Sequence, residues 1–195
     1  MSSHHFVREG QEPALFIFDP VPFGEVSELL EWAPLLMITE GALDAALSWS
    51  VKIDVVVCSP GCEEAVYARL QHQLPVEVRT EMSSDWLKSS FGYLQKRGYS
   101  SIHLLTQRRD DVFAAIDDAE VVPDVTVFEN GVRWLRTKAY RKWVAAGQKF
   151  LIAPESTIPG LKTGGLMLTR NEFHAINDGV IIITGPSFFW VGEKI

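Results

Sequence analysis

The stretch Gly98–Ile116, GYSSIHLLTQRRDDVFAAI, decides how this chain is interpreted. Residues 101–106 form a short, mostly apolar run, the pattern of a strand buried in a sheet. A charged segment, 107–111, follows and leads into a helical pattern. In α/β proteins, ligands bind outside the carboxyl ends of the strands, so this unit predicts a site at the charged segment. The alternative is structural: Asp110 and Asp111 would lie in the first turn of a helix, where the helix dipole favours negative charge.

The chain before this stretch alternates short apolar runs with helical patterns. Because strands separated by helices form right-handed βαβ units, the alternation predicts a parallel sheet. The predicted strands are 14–18, 35–39, 53–58, 76–80 and 101–106.

The alternation stops near Pro123. Asn130-Gly131 between two apolar runs is a strong β-hairpin signal. From Lys149 onward the chain contains only short apolar runs separated by Gly and Pro, which are KFLIA, GGLMLT, GVIIIT and SFFWVG. The sequence therefore predicts an α/β fold in two parts. A parallel-sheet domain of the nucleotide-binding type covers residues 1–122, and an all-β sandwich domain covers residues 123–195.

Composition excludes several classes of protein. The 195 residues carry a net charge of −7, which gives no basic footprint for nucleic acid. No apolar run approaches the ~18 residues of a membrane helix, and residues 1–12 lack the apolar core of a secretory signal. Cys58 and Cys62 form neither a disulfide framework nor a zinc motif. We therefore expect a cytoplasmic protein with no nucleic-acid or membrane partner.

The β half is rich in apolar strands, notably residues 180–183 and 188–191. This is more apolar surface than one thin sandwich needs, so it predicts self-association. Core packing within one chain is the alternative, because buried strands have the same pattern.

Several short polar motifs follow the predicted strands or lie in the β half. They are Glu40-Gly41-Ala42, Ser83-Ser84-Asp85, Gln107-Arg108-Arg109-Asp110-Asp111, Gly160-Leu161-Lys162 and Arg170-Asn171-Glu172. Together with the order of the two domains, these motifs resemble those of the thiamine pyrophosphokinase (thiamine diphosphokinase) family. The resemblance extends over about residues 35 to 195.

The resemblance implies a function as well as a fold. That family places a β-sandwich domain after an α/β nucleotide domain, works as a homodimer and transfers a diphosphate from ATP to the hydroxyl of thiamine. It implies ATP and Mg²⁺ as cofactors if the protein is active. It also implies thiamine or a nucleotide-like small molecule as ligand, and a homodimer formed through the C-terminal β domain.

Site residues follow from the same resemblance, position by position. Asp85, Asp110 and Arg108 are the expected catalytic residues, with Asp85, Asp110 and Glu40 as the expected metal ligands. The expected cofactor-binding residues are Glu40, Ser84, Arg108 and Asn171, the last supplied by the second chain of the dimer.

The sequence also departs from the family at its acidic positions. Ser59, Gly61 and Met82 stand where the family has aspartates, and none of them can supply a carboxylate. Mg²⁺ is usually held by carboxylates and phosphate oxygens, and losing one electrostatic group from a catalytic site costs roughly 10²–10³ in rate. We therefore expect a thiamine pyrophosphokinase-like protein with a degenerate site, in which transfer is lost or weakened and a small-ligand cleft is kept. The alternative is an active thiamine diphosphokinase with a rearranged magnesium site.

Four aromatic residues of the β half are candidates for stacking on a ligand ring: Trp134, Tyr140, Trp143 and Trp190. Packing in the core is the alternative for each, because aromatic side chains dominate the cores of β domains. The sequence does not choose among them.

Overall fold

A computed structural model describes residues 12–32, 34–119, 123–153, 160–169 and 172–195. The chain divides into two compact units, Met1–Asn130 and Gly131–Ile195. The segment 123–130, which the sequence analysis assigns to the second domain, belongs to the first unit because its strand pairs with that unit's sheet.

The described residues of the first unit form six strands and five α-helices in alternation. The strands are β1 (Ala14–Ile17), β2 (Leu36–Thr39), β3 (Val55–Cys58), β4 (Glu77–Thr80), β5 (Ser101–Leu105) and β6 (Asp124–Glu129). The helices are α1 (Phe23–Leu30), α2 (Leu43–Ser48), α3 (Glu63–Leu70), α4 (Trp86–Lys96) and α5 (Arg109–Asp117). Short 3₁₀ turns precede α2 and α4, at Glu40–Ala42 and Ser83–Asp85.

All six strands run parallel, in the order β6-β5-β1-β2-β3-β4. The predicted parallel sheet is thus confirmed. Strands β2 to β4 lie on one side of β1, and β5 and β6 lie on the other. The order therefore reverses between β1 and β5, and the loops after these two strands flank the switch point where such sheets bind ligands.

Successive side chains of β1 pack on opposite faces of the sheet. Leu15 and Ile17 belong to a buried cluster that also contains Val26 of α1. Phe16 points to the opposite face, since successive side chains of a strand alternate. There its ring contacts the ring of Phe18 edge to face, and Phe18 in turn contacts Trp86 of α4. Helices on both faces explain why β1, β2 and β3 are buried throughout, whereas the edge strand β4 is polar and more exposed.

The second unit consists of antiparallel strands. They are β7 (Val132–Val144), β8 (Lys149–Ala153), β9 (Lys162–Gly164), β10 (Leu166–Thr169), β11 (Glu172–Ala175) and β12 (Gly179–Lys194). Within the described residues the order is β10-β11-β8-β12-β7, and β9 pairs with β12. The predicted class, a parallel α/β part followed by a strand-rich part, is confirmed.

The segments GVIIIT and SFFWVG form one strand, β12, rather than two. Gly185 and Pro186 between them favour a turn. Strand β7 runs alongside both segments, however, and the ladder resumes after an irregularity between Thr184 and Phe189. Side chains from before and after this bulge share one buried cluster, which contains Ile183 and Val191. The bend of β12 therefore closes the core of this unit.

The turn at Asn130-Gly131 has the conformation that its sequence predicts. Both residues have positive φ, 50° and 70°. A two-residue turn with both φ positive is the type I′ turn of hairpins, and it explains the choice of Asn and Gly.

None of the helices in the described part of the chain is long and apolar enough to cross a membrane.

Candidate ligand site at the carboxyl edge of the parallel sheet

Asp19 lies at the switch point, directly after β1. Its Oδ2 accepts hydrogen bonds from Thr106 Oγ1 at 2.6 Å and from the backbone N–H of Gln107 at 3.0 Å. Its Oδ1 accepts from Arg108, with Nε at 3.0 Å and Nη2 at 2.9 Å. One carboxylate thus joins the loop after β1 to the loop after β5.

The surroundings of Asp19 keep its carboxylate ionised. Burial alone would raise its pKa, because the charged form is disfavoured away from water. Hydrogen bonds from Arg108, Thr106 and Gln107, with the positive charge of Arg108, outweigh burial and hold the pKa of Asp19 below its usual value.

Arg108 is held from two sides and remains partly open to solvent. Its guanidinium pairs with Asp19 and lies over the ring of Phe18, with Cζ 4.9 Å from the ring centroid. Its backbone N–H donates to Thr106 Oγ1 at 2.9 Å. The side chain is nevertheless 52 % exposed. Arg108 is therefore oriented by the protein and still accessible to a ligand.

Phe18 and Trp86 form an aromatic pair beside Arg108. Their rings meet edge to face with centroids 6.5 Å apart. The indole N–H of Trp86 donates to the carbonyl of Glu81 at 3.0 Å, which fixes the ring at the end of β4. Phe18 is 7 % exposed and packs inside the protein beside the guanidinium, so Trp86, which is partly exposed, is the ring of the pair that a ligand could contact.

Glu40 follows β2 and is engaged by the loop after β3. It accepts hydrogen bonds from the Ser59 hydroxyl at 2.9 Å and from the Ser59 N–H at 3.2 Å. Ser59 thus bridges the loops after β2 and β3, and Cys62 occupies the N-cap position of α3. Both oxygens of Glu40 are therefore in use within the protein.

The two thiols near Glu40 are poor nucleophiles. A hydrogen bond with Glu40, together with burial, raises the pKa of Cys62. Burial, followed by the charge of Glu40, raises the pKa of Cys58 to about 11. Both are free cysteines, and both stay protonated at neutral pH.

The predicted acidic residues Asp85 and Asp110 lie at the starts of α4 and α5. Asp85 is exposed, with the Ser84 hydroxyl 3.5 Å from its Oδ2. Asp110 accepts a hydrogen bond from Arg109 Nε at 2.9 Å, and its side chain is 81 % exposed. Asp110 and Asp111 lie in the first turn of α5, as the structural interpretation predicts.

These carboxylates do not come together as a metal site. Across the described part of the chain, no three His, Cys, Asp or Glu side chains are grouped so that they could hold a metal ion. Glu40 is bonded to Ser59, and Asp110 to Arg109. The described residues thus form no cage of protein ligands, and Mg²⁺ at this edge would need phosphate oxygens and waters as further ligands. Asn171, the predicted cofactor-binding residue of the β half, lies outside the described residues.

Negative charge dominates this edge of the sheet. The loops after β1 to β5 cover residues 18–22, 40–42, 59–62, 81–85 and 106–108. They contain four carboxylates and one arginine, namely Asp19, Glu40, Glu81, Asp85 and Arg108. Arg108 is paired with Asp19 and Arg79 of β4 with Glu81, so the excess negative charge lies on Glu40 and Asp85, and the edge attracts cations more readily than anions.

A cavity of about 560 Å³ occurs elsewhere in the first unit, next to the C-terminal end of α1. Its lining includes Glu12, Leu15, Glu28, Trp32 and His103 and none of the predicted site residues. The predicted site is therefore separate from this cavity.

The aromatic candidates of the β half differ in accessibility. Trp134 and Trp190 are almost completely buried. Tyr140 is buried as well and donates its hydroxyl to Glu193. Only Trp143 among the four is exposed, and it lies on a sheet of the second unit. The core interpretation is confirmed for the first three.

Two residues of the site, Asp19 and Trp86, were not predicted from the sequence. The only signal in the sequence is their position: Asp19 lies two residues after β1, and Trp86 is the first residue of α4. Strand order, which makes β1 and β5 neighbours, is not visible in the sequence.

Comparison with known proteins gives matches in structure alone. No family model matches the chain, and no curated protein matches it in sequence. The thiamine pyrophosphokinase of Bacillus subtilis superposes with a TM-score of 0.66 at 8 % identity, over 93 % of this chain and 98 % of that one. The enzyme of Geobacillus thermodenitrificans gives 0.62 at 10 % identity, over 93 % and 97 %. The thiamine pyrophosphokinase of Candida albicans gives 0.60 at 11 % identity, over 94 % and 90 %.

These matches cover almost the whole of each chain, although the sequences have diverged. The resemblance predicted from the motifs is therefore confirmed at the level of the fold. The chain has the fold of the thiamine pyrophosphokinases.

Proposed function

We propose that this chain is a thiamine pyrophosphokinase-like protein that binds a small molecule at the carboxyl edge of its parallel sheet and has lost or weakened ATP-to-thiamine diphosphate transfer. The observation that carries the proposal is the pairing of Arg108 with Asp19. The only arginine of the five loops is thereby neutralised by the protein itself.

Diphosphate transfer depends on charges that this site lacks. Phosphoryl chemistry in proteins is mostly positioning and neutralisation of the phosphate oxygens by metal ions and basic side chains. In support, the described residues contain no cluster of three potential metal ligands, and the five loops carry more carboxylates than basic side chains. A cationic ring compound such as thiamine matches this edge in charge, and the partly exposed ring of Trp86 offers it an aromatic contact.

Turnover distinguishes this proposal from its alternative, an active thiamine diphosphokinase that uses ATP and Mg²⁺. Incubated with thiamine and MgATP, the protein is expected to form thiamine diphosphate and AMP at least about 10²-fold more slowly than the Bacillus subtilis enzyme. Separate calorimetric titrations with thiamine and with MgATP measure binding, and we expect heat of binding from thiamine.

Alanine variants would identify the alternative, an active thiamine diphosphokinase. Turnover comparable with that of the Bacillus subtilis enzyme, abolished in Asp85→Ala and Asp110→Ala, would establish the alternative with Asp85 and Asp110 in catalytic roles. Asp118→Ala is the matched control, because it removes a carboxylate from the other end of α5.

We further propose that the protein is a cytoplasmic homodimer formed through its β half. The support is an exposed apolar face of the second unit, where Val180 of β12 pairs with Trp143 of β7 and Ile182 follows on the same side. Exposed apolar patches of this kind are typical of association surfaces.

Sedimentation tests the dimer. At micromolar concentration, the mass measured by sedimentation is expected to be about twice the 21.9 kDa of one chain. Ile182→Lys places a charge in the apolar face and should give monomers, whereas Ile195→Lys adds the same charge at the last residue and should leave the dimer intact. A wild-type protein that sediments as a monomer would contradict the proposal.

A further inference from the structure

Asp19 does more at the switch point than end a strand. Its carboxylate takes hydrogen bonds from three consecutive residues of the loop after β5. One of the donors, Thr106, is buried at 1 % exposure, so its hydroxyl has no access to water in place of Asp19. The carboxylate therefore cannot swing away when a ligand arrives.

The contact with Asp19 neutralises the charge of Arg108 but leaves several of its N–H donors available to a ligand. A guanidinium has five N–H donors in a planar fork. Asp19 takes Nε and one donor of Nη2, which leaves three donors on the outer edge of a side chain that is half exposed. To a ligand, Arg108 therefore offers directed hydrogen bonds with little net positive charge.

We propose that Asp19 determines the charge of the ligand that this cleft accepts, so that it rejects free polyphosphates and selects a cationic or zwitterionic molecule carrying a hydrogen-bond acceptor for Arg108. The acceptor meets the outer donors of Arg108, and the positive part of the ligand faces the carboxylates of the neighbouring loops. This inference rests on the proposed small-ligand cleft and specifies its ligand class.

Rejection of polyphosphates follows from the fixed negative charge. A pyrophosphate oxygen bound to the outer edge of Arg108 would lie within a few ångströms of the Asp19 carboxylate, and the two would repel. Specificity built from a repulsive element of this kind removes one class of ligand without improving contacts to another.

Asp19→Asn is the decisive variant. An asparagine keeps an oxygen acceptor for Thr106 and Gln107 while turning its NH₂ group toward Arg108, so the fold is kept and the arginine is released. Titrated calorimetrically with inorganic pyrophosphate in EDTA, the variant is expected to bind about tenfold more tightly than the wild type, the effect of one unit charge in a partly exposed site.

Two further variants are the controls for the gain in pyrophosphate affinity. The double variant Asp19→Asn, Arg108→Gln should lose the gain, because the gain requires the released guanidinium. Asp54→Asn removes the same charge from the opposite edge of the sheet, where Asp54 accepts the N–H of Leu36 at 2.9 Å, and should behave as the wild type. Equal gains in Asp19→Asn and Asp54→Asn, a gain that persists without Arg108, or no gain in a folded Asp19→Asn protein would each overturn the proposal.

This experiment separates the inference from the proposed function. Turnover of thiamine and MgATP by the wild type tests the function and does not involve the pyrophosphate titration. Rapid turnover together with a tenfold gain in Asp19→Asn would overturn the function and support the role of Asp19.

Discussion

Replacing Glu193 by alanine is expected to lower the free energy of unfolding by about 2–4 kcal/mol. Glu193 lies in β12, is 5 % exposed, and accepts hydrogen bonds from Tyr140, Lys142 and Arg133, the last at 3.0 Å. Removing the carboxylate leaves two cations and a buried hydroxyl facing each other without an acceptor. Arg133 and Lys142 are each partly exposed, so water recovers some of the loss.

Urea unfolding of the second unit's strands, followed by circular dichroism, measures this loss. Glu172→Ala is the matched control, because Glu172 also has two cationic partners, Lys149 and Lys194, but is more open to solvent than Glu193. Its removal should cost much less, as expected of a surface ion pair. Equal losses in the two variants would mean that burial of Glu193 contributes nothing.

The same cluster predicts how stability changes with pH. Burial raises the pKa of Glu193, but hydrogen bonds from Lys142 and Tyr140 outweigh burial, and the net effect is a lowered pKa. A lowered carboxyl pKa contributes stability above the unfolded-state value, and this contribution is lost as the pH falls through the folded-state value. Glu193→Ala should therefore unfold with a weaker dependence on pH in the acidic range than the wild type.

The sequence is sufficient for much of the fold because the relevant signals are local. Residues 14–18 are apolar without alternation, which is what burial on both faces of a parallel sheet requires, and β1 is buried throughout. Asn130-Gly131 specifies a turn with two positive φ values, and the structure contains it. Repeated strand–helix alternation then leaves few topologies, because βαβ crossovers are right-handed.

Long-range pairing explains what the sequence does not predict. GVIIIT and SFFWVG are separated by Gly185-Pro186, yet β7 pairs with both and makes them one strand. Asp19 and Arg108 are 89 positions apart, and only the order β5-β1-β2 brings them together. Motif similarity locates Arg108 at a helix start but cannot reveal that Asp19, in the loop after β1, already pairs with it.

The predicted acids illustrate the same limit at the site. Asp85 and Asp110 occupy the expected starts of helices, because a strand followed by a polar loop and a helix is a local pattern. The contacts of the predicted acids are set by neighbouring side chains: Arg109 pairs with Asp110, and the Ser59 hydroxyl donates a hydrogen bond to Glu40. Residue types thus predict where charge lies, and only the structure reveals which charges are already paired.

Asp19→Ala is expected to destabilise the protein by about 2–4 kcal/mol, because it removes the acceptor of a buried hydroxyl, a backbone N–H and a guanidinium together. Thr106 would be left without its partner in the core, whereas Asp19→Asn should lose much less because one oxygen is retained. Since the pKa of Asp19 is lowered, its contribution is present above the unfolded-state pKa and is lost as the pH falls through the folded-state value. Chemical unfolding at neutral and at acidic pH measures both effects. If Asp19→Ala and Asp19→Asn were equally stable, the oxygen that accepts from Thr106 and Gln107 would not hold the two loops together.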